Sequence, residues 1–200
     1  MDLFTTEETN YLPYNGTVNY YGRILSIAQN HHFYHYLLNN IPWKNDEALI
    51  FGKHIVTKRK VAWYGDKEFA YSYSGTTRYG KIWTKELLEL KEIVEEKLNL
   101  KFNSCLLNFY PTGSDGMAWH SDDEKALGKN TTIASLTFGA ERYFAFKHKK
   151  TQEKVKLLLE NGSLLIMKGV TQTYWLHKLP PTVNIKSPRI NLTFRTIIEE

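Results

Sequence analysis

The alternation of apolar and polar positions changes period along this chain. From Phe102 onwards short runs of period two dominate, separated by Gly, Asn and Pro breaks. They predict strands at Ser104–Tyr110, Met117–Asp122, Thr132–Phe138, Tyr143–Lys147, Val155–Leu159, Ser163–Met167, Thr173–His177 and Arg189–Ile198. So many short strands in so little chain imply a double-sheet jelly roll or barrel. Upstream, Thr17–Leu25 reads as a strand. Ser26 then offers an N-cap for a helix to about Asn39, with Phe33, Leu37 and Ile41 on one stripe and Pro42 behind it. Thr84 can cap a second helix over Lys85–Leu98, whose stripe is Leu87, Leu90, Val94 and Leu98. Between the helices lie the apolar run Ala48–Gly52, the basic Lys58–Lys60, and strand-like stretches at Ala62–Gly65 and Phe69–Gly75, with a turn at Gly65–Asp66. Residues 1–14 read as an irregular arm. The expectation is one domain, mostly β, with the helices packed outside.

Composition narrows this little. The 200 residues, 42% hydrophobic and 24% charged, fit one globular domain with a sizeable core. Thirteen Tyr, ten Phe and five Trp suit strands, and suit base stacking equally. A net charge of +5 is compatible with a polyanionic partner without requiring one. The single cysteine, Cys105, excludes an internal disulfide framework and fits a reducing compartment. No basic n-region opens the chain, and no 18-residue apolar run occurs, so neither a signal peptide nor a membrane partner is expected.

The chemistry concentrates in two places. In Met117–Asp123 (Met-Ala-Trp-His-Ser-Asp-Asp), His120 and Asp122 stand two apart, which in a strand puts both on one face. A facial iron site uses two histidines and one carboxylate and leaves positions open. His177 is the best third ligand, because a second run follows it: Arg189, Asn191, Thr193 and Arg195 alternate with Ile190, Leu192 and Phe194. One face of that strand is apolar, and the other is suited to a small dianion. His54 and His148 compete for the third position, but His148 sits in the basic Lys147-His-Lys-Lys150, which repels a cation. His31, His32 and His35 cluster on the first helix with no carboxylate nearby in sequence.

His-x-Asp, a distant His and then Arg-x-Asn-x-Thr-x-Arg resembles the AlkB family of Fe(II)/2-oxoglutarate dioxygenases, most of all the branch that repairs alkylated duplex DNA. Asn108-Phe-Tyr110, Ser135–Gly139 and Gly162–Met167 carry the likeness further, over roughly residues 50 to 198. The resemblance implies a double-stranded β-helix core (about 102–198) preceded by a nucleotide-recognition lid (about 45–83). It implies Fe(II) on His120, Asp122 and His177, with 2-oxoglutarate and O2 as cosubstrates. Arg189 would take the distal carboxylate with Tyr110 as hydroxyl donor, and Asn108, Asn191, Thr193 and Arg195 would surround the rest. Asp123 and Glu124 would face a cationic alkylated base. Tyr71, Tyr73 and Ser74 would border it, although Tyr73 departs from the Phe expected there. Phe51, in Ile50-Phe51-Gly52, would be the wedge that fills the gap left by a flipped base. Lys53, Arg59, Lys60, Arg78, Lys147, Lys149 and Lys150 are candidate phosphate contacts. The expected partner is alkylated DNA, duplex ahead of single strands, acted on by a monomer in a bacterial cytoplasm, or in a nucleus if the source is eukaryotic. An RNA demethylase, a protein-directed oxygenase and a non-enzymatic nucleic-acid binder stay open as alternatives.

Overall fold

The computed structural model describes residues 9–50, 53–68, 70–73 and 76–198, with the backbone alone at 48–50, 53–55, 70–73 and 76–78. The chain opens with β1 (Thr17–Arg23) and α1 (Ile27–Asn40), then β2 (Lys44–Ile50), β3 (Lys53–Gly65), β4 (Ala70–Tyr73), β5 (Thr76–Tyr79) and β6 (Lys81–Ile82). After α2 (Lys85–Leu98) come β7 (Ser104–Tyr110), β8 (Met117–His120), β9 (Ile133–Gly139), β10 (Arg142–His148), β11 (Lys154–Leu159) and β12 (Ser163–Lys168). One turn of helix, α3 (Thr171–Tyr174), leads to β13 (Trp175–Leu179) and β14 (Arg189–Arg195).

Two sheets face one another in a jelly roll. The major sheet runs β1-β12-β9-β14-β7-β3-β2, with β6 beside β3; the minor sheet runs β11-β10-β13-β8; β4 and β5 form a separate hairpin. β14 lies inside the major sheet, paired to β7 on one side and β9 on the other. Its alternation therefore has two buried destinations. Ile190, Leu192 and Phe194 join Phe33 and Leu37 of α1 and Leu87, Leu90 and Val94 of α2 in a core outside the sheet. A second core, with Ile133, Phe146, Leu165 and Trp175, fills one end of the space between the sheets. The remainder of that space is the cavity described below.

The helices form where their caps direct. Ser26 makes a full capping box with Gln29, and Thr84 accepts from the Leu87 N–H. Asn99, at φ 50°, ends α2 in the left-handed region that Asn tolerates. Two elements differ from expectation. β3 is a single thirteen-residue strand, of which Lys60–Gly65 pairs with β7 and Lys53–Val61 pairs with β2. Within the segment expected as a lid, β2, β3 and β6 are thus part of the major sheet, and the β4–β5 hairpin is separate from it. The expected strand at Thr173–His177 begins as α3; its β-branched and aromatic residues favour extension, but the backbone N–H groups of Thr173 and Tyr174 donate to the Val170 carbonyl after a turn at Gly169.

Candidate metal and cosubstrate site

His120 ends β8, and His177 lies directly across from it on β13. Both rings point between the sheets, with centroids 4.2 Å apart. Asp122 lies two residues beyond β8, outside the strand, so strand periodicity is not what aims it. Its N–H donates to Gln172 Oε1 at 2.9 Å, and its Oδ2 accepts from Arg195 Nη2 at 2.7 Å. The donor atoms of His120, Asp122 and His177 all fall within 4.8 Å of one another.

The protonation states suit a cation. His120 Nδ1 lies 2.8 Å from the Ala118 carbonyl. A carbonyl only accepts, so Nδ1 is the donor there, and Nε2 is the ring atom turned towards the site, 3.7 Å from Asp122 Oδ1. His177 is buried; desolvation, followed by the neighbouring His120, pushes its pKa down to about 3, which keeps the ring neutral. Burial alone would raise the Asp122 pKa. The Arg195 guanidinium and the two histidines outweigh it, and the carboxyl lies below its ordinary value. Two imidazoles and one carboxylate facing an open cavity fit Fe(II) with positions to spare.

The other end of the cavity holds Arg189, 2% exposed. Its Nη2 donates to Thr137 Oγ1 at 2.9 Å, and its guanidinium lies 5.7 Å from the Tyr110 ring centroid. Its Nε is buried and has no acceptor among the described residues. Desolvation lowers its pKa to about 10, so it stays charged at neutral pH. A buried cation whose protein partners are a hydroxyl and an aromatic face lacks an anion. The distal carboxylate of 2-oxoglutarate is such an anion, and its keto acid end would then point towards the three ligands.

Asn191, Thr193, Asn108 and Tyr110 line the same cavity. Asn191 Nδ2 donates to Ser135 Oγ and the Leu136 carbonyl at 2.9 and 3.0 Å. Arg195 differs from the sequence expectation: it reaches Asp122 and so orients a metal ligand. Arg59 is a correction too. It was expected at a surface phosphate, but it is buried, ion-paired with Asp46 and donating from Nη1 to Asn108 Oδ1 at 2.5 Å. A guanidinium in contact with a buried carboxylate is held inside by that charge, and here it lines the cavity. Lys149 is similarly engaged, donating to Ser121 Oγ at 3.1 Å and the Gln172 carbonyl at 2.8 Å.

The acidic pair splits. Glu124 lines the cavity, whereas Asp123 is exposed, accepting from Ser121 Oγ at 2.9 Å with Lys149 Nζ at 3.7 Å. Phe51, Gly52 and Ser74 lie outside the described residues. Lys53 starts β3, and Tyr71 and Tyr73 lie on β4, where the structure describes backbone alone. Sequence reasoning missed Gln172 and Arg142. Arg142 is buried and donates to the carbonyls of Asp115 (2.8 Å) and Pro180 (2.6 Å), with its guanidinium 5.8 Å from the Tyr110 ring centroid. Its one visible signal was an arginine opening an otherwise aromatic strand.

With this geometry in view, comparison with known proteins is decisive. The family model of the 2OG-Fe(II) oxygenase superfamily matches residues 17–195. The chain belongs to that superfamily. Its cofactors are accordingly Fe(II), 2-oxoglutarate and O2, and the three-ligand cluster stands where the iron would be held. Among curated relatives, alpha-ketoglutarate-dependent dioxygenase alkB homolog 3 of Bos taurus is 40% identical over 80% of this chain and 59% of its own length. DNA oxidative demethylase ALKBH2 of Homo sapiens is 40% identical over 74% of this chain and 60% of its own. The AlkB resemblance holds, and the chain spans about three-fifths of the length of these two relatives. The structure of OsALKBH1 superposes with a TM-score of 0.64 at 16% identity, covering 94% of this chain and 99% of that one, which supports the fold.

Proposed function

We propose that this oxygenase oxidatively dealkylates N-alkylated bases in DNA, such as 1-methyladenine and 3-methylcytosine. The observation that carries this reading is the pairing, across one cavity, of a two-histidine, one-carboxylate cluster with a buried arginine that meets no carboxylate among the described residues. The choice of DNA is supported by relatives named DNA oxidative demethylase at 40–41% identity. Glu124 at the cavity wall suits a base made cationic by alkylation.

Bound iron(II) supplies O2 activation, coupling oxidative decarboxylation of 2-oxoglutarate to hydroxylation of a nearby C–H bond. The chain's part is geometric and electrostatic. Arg189 would hold the distal carboxylate, its guanidinium positioned by the Thr137 hydroxyl that accepts from Nη2. His177 stays neutral, and Arg195 fixes the rotamer of Asp122. Phe144, Leu179 and Met117 make that part of the wall apolar. In sum, one O2 and one 2-oxoglutarate convert N–CH3 into N–CH2OH with succinate and CO2. The hemiaminal C–N bond then breaks, its O–H proton goes to the base nitrogen, and formaldehyde leaves. No protein general acid is needed in the C–H step.

The test is formaldehyde release and base repair on one 1-methyladenine sequence presented as single strand, duplex and RNA, with Fe(II) and 2-oxoglutarate, beside His120→Ala. Turnover on DNA that the variant loses is expected. Turnover confined to RNA would replace DNA as substrate. Slow consumption of 2-oxoglutarate with no repair of any of the three would sink the alkyl-base reading and point to a protein-directed oxygenase.

A further inference from the structure

The outward face of the minor sheet carries a second pattern, which the cavity does not use. β8, β10, β11 and β13 contain no Asp or Glu. Their outward positions hold Lys147, Lys154, Lys156 and Lys178, and none of the four meets a carboxylate among the described residues. Lys147 and Lys154 are direct cross-strand partners, an arrangement in which like charges repel. Lys156 and Lys178 flank the small Ala145 from either side. Two aromatic rings lie among them. The Nζ atoms of Lys178 and Lys147 sit 4.7 and 5.0 Å from the Trp119 ring centroid. Lys156 Nζ sits 4.6 Å from that of Tyr143, which is 53% exposed and paired with the exposed Leu158.

Lysines crowded on one sheet face with no carboxylate beside them among the described residues repel one another, and an anion relieves that repulsion. An exposed sheet that also offers an indole and a phenol supplies faces for planar rings. We propose that this face is a platform for single-stranded DNA, with the lysines on phosphates and Trp119 and Tyr143 under unpaired bases. A duplex fits less well, because its base faces are covered by their neighbours and only its phosphates could be used. A lysine over an exposed ring is the weaker contact, so it can swing to a phosphate and yield the ring to a base. Position reinforces the inference. Trp119 precedes His120 and Lys178 follows His177, so the platform and the metal ligands occupy opposite faces of the same two strands. β8 is the edge of the minor sheet, so a strand leaving the cavity over that edge meets Trp119. Of the whole set, only Lys147 was a sequence candidate for a phosphate contact. The choice of DNA rests on the proposed dealkylation; the platform itself does not.

The test uses the full chain without iron and a labelled, unmodified oligonucleotide of about 15 nucleotides, followed by fluorescence anisotropy. Single strands should bind roughly tenfold tighter than duplex of the same sequence. The double variant Lys156→Glu, Lys178→Glu should weaken binding about tenfold and flatten its salt dependence. Tyr143→Leu and Trp119→Leu should each weaken it roughly threefold or more with the salt slope unchanged. Circular dichroism checks that the variants fold, and Tyr143→Leu lies away from every metal ligand. Duplex or heparin binding as tight as single strands, or aromatic variants that bind like wild type, would overturn the platform. Roughly tenfold tighter RNA binding would overturn the choice of DNA. Anionic vesicles bound in preference to oligonucleotide, and lost in the same variants, would make the face a membrane contact instead. Dealkylation that fails while this binding persists defeats only the catalytic proposal.

Discussion

The two ends of the central cavity treat charge in opposite ways. At the metal end, Asp122 is met by Arg195 and flanked by the neutral His177, so the carboxylate is already close to balanced. At the other end, Arg189 is as deeply buried yet, among the described residues, meets Thr137 and the Tyr110 ring and no carboxylate. One end is assembled in advance by the protein's own ion pair. The other is completed only by what binds. Ordering of the metal site and affinity for the cosubstrate should therefore respond to different mutations.

The sharpest break between the ends is a pair of truncations. Asp122→Ala removes the buried carboxylate that accepts from Arg195 and should cost about 3–5 kcal/mol of stability in the ligand-free protein. It should also lower succinate formation by roughly a thousandfold or more, since the carboxylate ligand is gone. Arg189→Met removes a charge that has no carboxylate partner among the described residues. Denaturant midpoints should shift by less than about 1 kcal/mol, while KM for 2-oxoglutarate rises roughly a hundredfold. In the iron-loaded protein, 2-oxoglutarate at about a hundred times its Kd should add ~2.7 kcal/mol to wild type and only about 0.4 kcal/mol to this variant at the same concentration. If Arg189→Met destabilises the free protein as much as Asp122→Ala does, the two ends are not different in kind.

A pH titration of the metal-free protein tests the metal end alone. His177 is neutral when folded down to about 3, whereas an unfolded histidine takes its proton near 6.5. The unfolded chain therefore binds more protons throughout that window, and stability falls as pH drops through it. From pH 6.5 to 5 the loss should be about 2 kcal/mol in urea midpoints. His177→Phe should remove that slope. The smallest effect belongs to the anion end. Thr137→Val deletes the hydroxyl on Arg189 and should raise KM for 2-oxoglutarate about fivefold, with kcat nearly unchanged.

The contrast also separates what the sequence disclosed from what it hid. The strand Arg189–Arg195 was legible because period-two alternation survives when one face meets helices and the other meets a ligand. The caps Ser26 and Thr84 were legible because capping is local chemistry. Asp122 reached its place by a different route from the one its spacing suggested: the strand stops at His120, and Gln172 and Arg195 do the aiming. Those two partners come from fifty and seventy-three residues away, a distance no local pattern spans. Arg59 misled for the same reason. In Lys58-Arg-Lys60 it reads as one of three solvated cations, and only the pairing of β2 with β3 shows Asp46 beside it. The start of β2 was hidden as well, since Asn45 and Asp46 are poor strand formers held there by tertiary contacts.

β14 is bounded on both sides and buried on both faces. It behaves like a reading frame of two. A single-residue deletion anywhere in Asn191–Thr193 would exchange the faces downstream, sending Arg195 towards the helix core and Phe194 into the ligand space. Point changes in that strand can be graded, but a frame change cannot. A lineage carrying this chain should therefore tolerate length variation in residues 180–188 and none in the seven residues that follow, so the spacing from Arg189 to Arg195 is the part of the molecule least free to drift.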